Sequence, residues 1–230
     1  FDNFDGIMIK LNNLNKCVIE DGIVDVESGY SLIKLAYEAA EKNLSGLEFA
    51  SGIPGTIGGA VFMNAGAYLS DISAIFIDAL VLTPDLEIKT LTKDDMNFGY
   101  RTSFIKETPG YIVLSSRFKL TPGDKEEITK IMNDRLEKRK SSQPLEYPSA
   151  GSVFRNPEGN FAGKLIEHLE DENFKGYNIN GAEVSTKHAN FIINTGECTG
   201  KDIVQLINEI KTKIKDVYDI DLILEQEIVE

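Results

Sequence analysis

"SGIPGTIGGAVFMNAGAY", Ser51 to Tyr68, carries five glycines and one proline in eighteen residues and no charged side chain. Glycine weakens helices and strands because it has the most backbone freedom to lose, so a run this dense implies a need for bare main chain. Gly52, Gly55, Gly58 and Gly59 leave N–H groups uncovered, and successive amides in a turn make an anion-binding nest. A helix beginning near Gly58 would add its positive end. The run is not a P-loop, because Ala60 follows Gly59 where Lys and Ser/Thr are needed, and it is not GxGxxG. Two readings stay open from these residues alone: a bed for a flat or phosphorylated ligand, or a tight turn packed under a helix.

Outward from the run, the segments "GIMIKL" from Gly6, "KCVIEDGIVDVESG" from Lys16 and "DALVLTPDLEIKTLT" from Asp78 predict short strands joined by Asp-Gly and Pro-Asp turns. Between them Leu32, Leu35, Ala36, Ala39 and Ala40 form one helical stripe, with Ser31 as N-cap and Gly46 as the stop. "GYIVLSSRFKL", from Gly110, is a further buried strand. At Thr121 the texture turns polar: Asp124, Glu126 and Glu127 open a helix and Lys138, Arg139 and Lys140 close it, complementing the macrodipole. A domain boundary is placed there, giving domains 1–120 and 121–230. Beyond it come a polar loop from Tyr147, a short helix around Leu165, the strand "HANFIIN" and a helix with Ile203, Ile207, Ile210, Ile214 and Val217 on its core seam. "DLILEQEIV", from Asp221, reads as a final strand. The fold class is α+β, without strict βαβ alternation.

Thirty-seven acidic against twenty-four basic residues leave a net charge of −13, which opposes binding to nucleic acid. No apolar run is long enough for a membrane span and the start is no signal peptide, so a cytoplasmic protein without membrane insertion is expected. Cys17 and Cys198 are expected as free thiols, and with His168 and His188 they make no metal site.

Several unusual strings in one order carry a resemblance: "LEFASGIPGTIGGAVFMNAGAY", "YRTS", "PSAGSVFRNP", "GAEVSTKHANFIIN" and "LEQE". Together they resemble the UDP-N-acetylenolpyruvoylglucosamine reductase family, in its shorter second type, over essentially the whole chain. The resemblance implies an FAD-binding domain followed by a substrate-binding domain, and the use of NADPH to reduce enolpyruvyl-UDP-N-acetylglucosamine to UDP-N-acetylmuramate for peptidoglycan. It implies that Ser51, Gly52, Ile53, Pro54, Gly55, Thr56, Gly58 and Gly59, with Asn64 and Gly66, line the flavin. The UDP-sugar is then the small-molecule partner, and a monomer is expected. In the family a further flavin-domain segment precedes the point where this sequence starts. The front of the FAD-binding domain is therefore expected to be missing, with weak FAD binding as the consequence.

Reduction of an enol ether bearing a carboxylate takes a hydride at one carbon and a proton at its neighbour, with negative charge passing into the carboxylate between the two. Arg101 in "GYRTS" matches the family arginine beside that carboxylate, and a permanently charged fork of donors suits the task. Tyr100 would flank the substrate. Ser152 matches the proton donor, although Ser149 stands three positions away and the residues alone do not choose between them. Glu227 matches the terminal glutamate at the carboxylate end, and on a strand it shares a face with Glu225. Arg155, Asn156, Lys187 and Arg139 are the candidates for the diphosphate. Without the resemblance, Arg101, Ser152 and Glu227 read as a surface arginine, a loop serine and a solvated edge. Two other functions stay open: a flavin oxidoreductase with another acceptor, and a UDP-sugar-binding module without catalysis.

Overall fold

The computed structural model describes residues 6–169 and 174–229, and the chain divides into two compact units, Met8–Lys138 and Arg139–Glu230. The first unit is built on a five-stranded antiparallel sheet. Its elements in chain order begin with β1 (Cys17–Glu20), β2 (Ile23–Glu27), α1 (Leu32–Glu41) and β3 (Leu44–Ser45). After the glycine run's α2 (Ile57–Phe62) come β4 (Gly66–Ala67), β5 (Ser70–Asp71), β6 (Phe76–Leu82) and β7 (Ile88–Thr92). Then follow α3 (Lys93–Met96), α4 (Phe104–Glu107), β8 (Ile112–Lys119), β9 (Thr121–Pro122) and α5 (Lys125–Ser142), which runs on into the second unit. The sheet order is β1-β2-β8-β6-β7, while β3 pairs β9 and β4 pairs β5.

Local chemistry explains most of these elements. Asp21 and Gly22 both take positive φ, so the β1–β2 link is the two-residue left-handed turn that suits a twisted hairpin. In α1 the predicted stripe of Leu32, Leu35, Ala36, Ala39 and Ala40 is buried and the Ser31 side chain caps the Lys34 amide. The stripe meets Val24 and Val26 of β2, Ala79 and Val81 of β6 and Phe118 of β8 in one core. Asp124 accepts from the Glu126 and Glu127 amides and so starts α5.

The second unit holds β10 (Ser149–Ser152), α6 (Ala162–Glu167), β11 (Asn178–Ile179), β12 (Ala182–Val184), β13 (Phe191–Asn194) and α7 (Gly200–Tyr218). Its four-stranded antiparallel sheet runs β10-β13-β12-β11. Leu206, Ile207, Ile210 and Ile214 of α7 and Leu165 and Ile166 of α6 close its core with Phe154, Val184 and Ile192. Thr199 and Asp202 form a reciprocal capping box at the start of α7.

Four expectations are corrected. Residues 6–11 form no strand, and Ile7, Met8 and Ile9 lie exposed, because no described strand pairs with them. "DLILEQEIV" contributes only a single bridge, Leu224 to Phe154, in place of a strand. The stop of α1 is Lys42 and left-handed Asn43, not Gly46, which follows β3 and packs against Ile75 and Leu120. In α7, Val217 is exposed and Tyr218 packs against the core in its place.

Candidate active site

In the first unit the glycine run is braced from behind and bare in front. The Ile57 amide donates to the Tyr30 carbonyl at 2.9 Å and the Gly58 amide to the Ser28 carbonyl at 2.9 Å. The Gly59 amide is taken by the Thr56 side chain. The three amides at the start of α2 are therefore spent inside the protein, and the expected anion nest at the helix start is not what these glycines build. Gly58 is required by packing, since a Cβ there would meet the Ser28 side chain at 3.0 Å. Gly66 is likewise required, because a Cβ would fall 2.6 Å from the Ser70 carbonyl oxygen across the β4–β5 ladder.

The open side is different. Pro54, Gly55, Thr56 and Gly59 are exposed. A Cβ on Gly55 would meet nothing, and one on Gly59 only the Thr56 hydroxyl at 3.6 Å. Among the described residues the Gly55 and Thr56 amides make no hydrogen bond. This rim of uncovered main chain with two donors to spare fits a flat cofactor bearing acceptors, so FAD is compatible with the residues present. The part of the run open on this side is thus Pro54 to Thr56 with the face of Gly59, the remainder being the scaffold behind it.

Arg101 is bolted to this run. Gly99 to Thr102 form a tight turn closed by reciprocal main-chain bonds, with Arg101 left-handed at φ 56°. The Arg101 guanidinium donates to the Gly66 carbonyl at 2.7 Å and lies 5.2 Å from the centre of the Tyr100 ring. Asn64, buried and left-handed at φ 42°, donates to the Gly99 carbonyl at 3.0 Å and to Asp71 at 3.2 Å, while its own carbonyl accepts the Ser73 amide at 3.0 Å. Ser103, also buried, donates to the Phe62 carbonyl at 2.7 Å. Three side chains thus fasten the arginine turn to residues 62–66. Arg101, Tyr100 and the glycine run are brought together, whereas the side-chain polar groups of buried Asn64 are consumed in the fastening and its amide donates to the Val61 carbonyl.

In the second unit, Ser152 ends β10 beside a bulge that starts at Ser149, with Gly151 between them at φ 81°. The strand continues into Val153 and Phe154, both held by Asn190. The Asn190 carbonyl accepts the Val153 amide at 2.8 Å, and its side chain bonds the Phe154 amide at 3.0 Å and the Phe154 carbonyl at 2.8 Å. On the other side the chain end pairs with the same segment, the Glu225 amide donating to Val153 and the Arg155 amide to Ile223. Gln226 reaches the Gly151 and Ser152 carbonyls. Ser152 and the segment bearing Glu227 are therefore neighbours, Glu227 being exposed and Glu225 half-buried.

The cation candidates differ. Arg155 is half-buried, and its Nε is enclosed without a hydrogen-bond partner, a donor that water cannot serve. Asn156 is exposed and its carbonyl accepts the Ala162 amide, starting α6. Lys187 pairs with Glu146 at 3.1 Å. Arg139 lies in α5 and is half-buried. Cys17 and Cys198 are free thiols; burial pushes Cys17 up to about 11, which keeps it neutral and unreactive. Sequence reasoning missed Asn190, Gln226 and Ser103. The only signal for the first is a polar amide inside the apolar string "HANFIIN", which a buried position obliges to find partners.

Comparison with known proteins identifies the two parts. Residues 1–92 match a family model described as an FAD binding domain, and residues 143–229 match one described as UDP-N-acetylenolpyruvoylglucosamine reductase, C-terminal domain. A flavin-binding part with the bare rim, joined to a part of this second kind, defines a flavin-dependent oxidoreductase. The UDP-N-acetylenolpyruvoylglucosamine reductase of Bacillus pumilus is 47% identical over 226 residues, covering 97% of this chain and 73% of the relative. That of Clostridium tetani is 49% identical over 217 residues, 94% of this chain and 69% of the relative. The crystal structure of the Thermus caldophilus reductase superposes with a TM-score of 0.79 at 35% identity, over 90% of this chain and 72% of that one. The chain belongs to the UDP-N-acetylenolpyruvoylglucosamine reductase family. No helix among the described residues is long and apolar enough to cross a membrane.

Proposed function

We propose that this chain reduces enolpyruvyl-UDP-N-acetylglucosamine to UDP-N-acetylmuramate for peptidoglycan synthesis, in the cytoplasm, as a monomer, with NADPH as the electron source. Residues 1–120 would serve as the FAD-binding domain and 121–230 as the substrate-binding domain. When bound, FAD supplies the hydride. Ser51 to Gly59 hold it on main chain, with the Gly55 and Thr56 amides as the donors available to its acceptor atoms, and Asn64 and Gly66 lend backbone beyond them.

The chemistry left to side chains is charge and one proton. Arg101 neutralises the substrate carboxylate as charge flows into it, and its turn is stiff enough to hold that position through the reaction. Ser152 delivers the proton; a hydroxyl is a weak acid, but a carbanion-like carbon is a far stronger base than its alkoxide, so placement decides the rate. Glu227 bonds the carboxylate end of the substrate, and Tyr100 flanks it. Arg155, Asn156, Lys187 and Arg139 take the diphosphate, Lys187 by exchanging Glu146 for phosphate.

The observation that carries this reading is the Arg101 guanidinium held at 2.7 Å on the Gly66 carbonyl, on a turn fastened to the glycine run. An arginine needed only for solubility requires no such fastening. The test is NADPH oxidation by the flavin-loaded protein with and without enolpyruvyl-UDP-N-acetylglucosamine. The reading expects oxidation to depend on that substrate and to fall in Arg101→Ala. Oxidation at the same rate with no substrate, or with the variant, rejects it.

A further inference from the structure

His188 lies two residues before Asn190, the residue that grips the strand beside Ser152, and no step above uses it. Its Nδ1 accepts the Asn190 amide at 3.2 Å. An amide can only donate, so the ring is the Nε2–H tautomer with an unprotonated Nδ1. The ring is wedged: Phe191 stands 4.9 Å away, centre to centre, and a Cβ on Gly163 of α6 would come within 3.2 Å of its Cε1. A side chain on Gly163 would press directly on the imidazole.

We propose that His188 is a positioning residue for Ser152: Nδ1 fixes the Asn190 amide, and Asn190, with three bonds to Val153 and Phe154, fixes the strand end that aims the serine. The inference rests on the reading of Ser152 as the proton donor. The chain of contacts is short and each link is buried or half-buried. Asn190 holds Phe154 by both its amide and its carbonyl, so a tilt of Asn190 disturbs two bonds at once. Protonating Nδ1 would turn the acceptor into a donor facing another donor, breaking the first link. The surroundings resist that. Burial and then the Lys175 ammonium hold the imidazole below its ordinary value of 6.5, while Glu167 of α6, paired with Lys175 at 2.6 Å, acts weakly the other way.

His188→Phe keeps the ring against Phe191 and deletes the acceptor. His188→Asn places an amide oxygen where Nδ1 stood. Two measurements on the flavin-loaded protein separate the possibilities: amide hydrogen exchange at Val153 and Phe154, and kcat for substrate-dependent NADPH oxidation. We expect His188→Phe to raise exchange at both amides roughly 5-fold, the loss of about one hydrogen bond, and to lower kcat roughly tenfold with KM held within about 2-fold. His188→Asn should stay near the parent in both. It should also lose the part of the acid limb of kcat that His188 contributes. Equal exchange at the two amides in all three proteins overturns the proposal, as does an equal loss of kcat in both variants. If the exchange pattern holds but the parent shows no turnover, the clamp stands and the reductase reading falls. Nitrogen-15 spectra of the parent supply an arm that no misfolded variant can spoil: a proton on Nδ1 instead of Nε2 overturns the proposal outright.

Discussion

Replacing Asn64 tests how the arginine turn is held. In Asn64→Ala the Gly99 carbonyl, the Ser73 amide and Asp71 each lose a partner. At about 1 kcal/mol for each hydrogen bond, that is about 3 kcal/mol. The backbone adds to it, because Asn64 sits at φ 42° and asparagine tolerates the left-handed region where alanine costs about 1 kcal/mol more. The expected loss is therefore about 4 kcal/mol, a large part of a domain's stability. Asn64→Gly removes the same three bonds but not the backbone preference, so it should cost about 1 kcal/mol less than alanine. Urea titration followed by circular dichroism measures both, and the difference between them isolates the backbone contribution. In the same samples kcat should fall, since of the three bonds described from the arginine turn to residues 62–66 the one from Asn64 would be lost. A loss below about 0.5 kcal/mol in Asn64→Ala, or an unchanged kcat in a folded Asn64→Ala, would refute the reasoning that these bonds fix the arginine.

Other outcomes follow from the same geometry. Gly59→Ala should leave stability equal or up to about 1 kcal/mol higher, as a helix residue better than glycine, yet weaken flavin binding measured by fluorescence quenching, because its methyl would stand on the open rim. Gly58→Ala should instead destabilise by about 1–2 kcal/mol in thermal unfolding, because its methyl meets buried Ser28, whose hydroxyl is held on the Val113 carbonyl. Ser152→Ala should lower substrate-dependent turnover by roughly 10²–10⁴-fold while flavin reduction by NADPH in stopped flow is unchanged. Stability should also fall with pH in two steps. His188 is held below 6.5 in the folded state, so as pH drops the unfolded chain binds that proton first, and stability present above 6.5 is lost as pH falls through the folded value. Glu167, lowered chiefly by its hydrogen bond to Lys175, acts in the same direction below its ordinary value of 4.5. Denaturation midpoints of the parent and His188→Asn across this range should converge only above 6.5.

Legibility in the sequence followed the range of the forces. The Asp21-Gly22 turn, the α1 stripe and its Ser31 cap are settled by residues within a few positions of one another, and they stand as read. Strands were misread where pattern outran partnership: "GIMIKL" and "DLILEQEIV" alternate well enough, but a strand exists only if another chain segment completes its hydrogen bonds. The glycine run was read as donors, and the donors at Ile57 and Gly58 turned out to face Tyr30 and Ser28, nearly thirty residues upstream. The Gly55–Thr56 end keeps donors exposed. Asn190, and the fastening role of Asn64, escaped for the same reason. Each is an ordinary amide in the sequence whose decisive partner lies about 35 residues away. Arg101 was found through its motif, but the bonds that hold it could be found only in the folded chain.

The central claim is that one guanidinium, fastened to a bare main-chain bed, carries the charge of the reaction. It is tested most directly by mixing the anaerobically reduced, flavin-loaded protein with enolpyruvyl-UDP-N-acetylglucosamine and following flavin reoxidation. The account predicts fast reoxidation in the parent and a loss of roughly 10²-fold or more in both Arg101→Lys and Arg101→Ala, with the bound flavin undiminished. Reoxidation in Arg101→Ala at the parent's rate would contradict it.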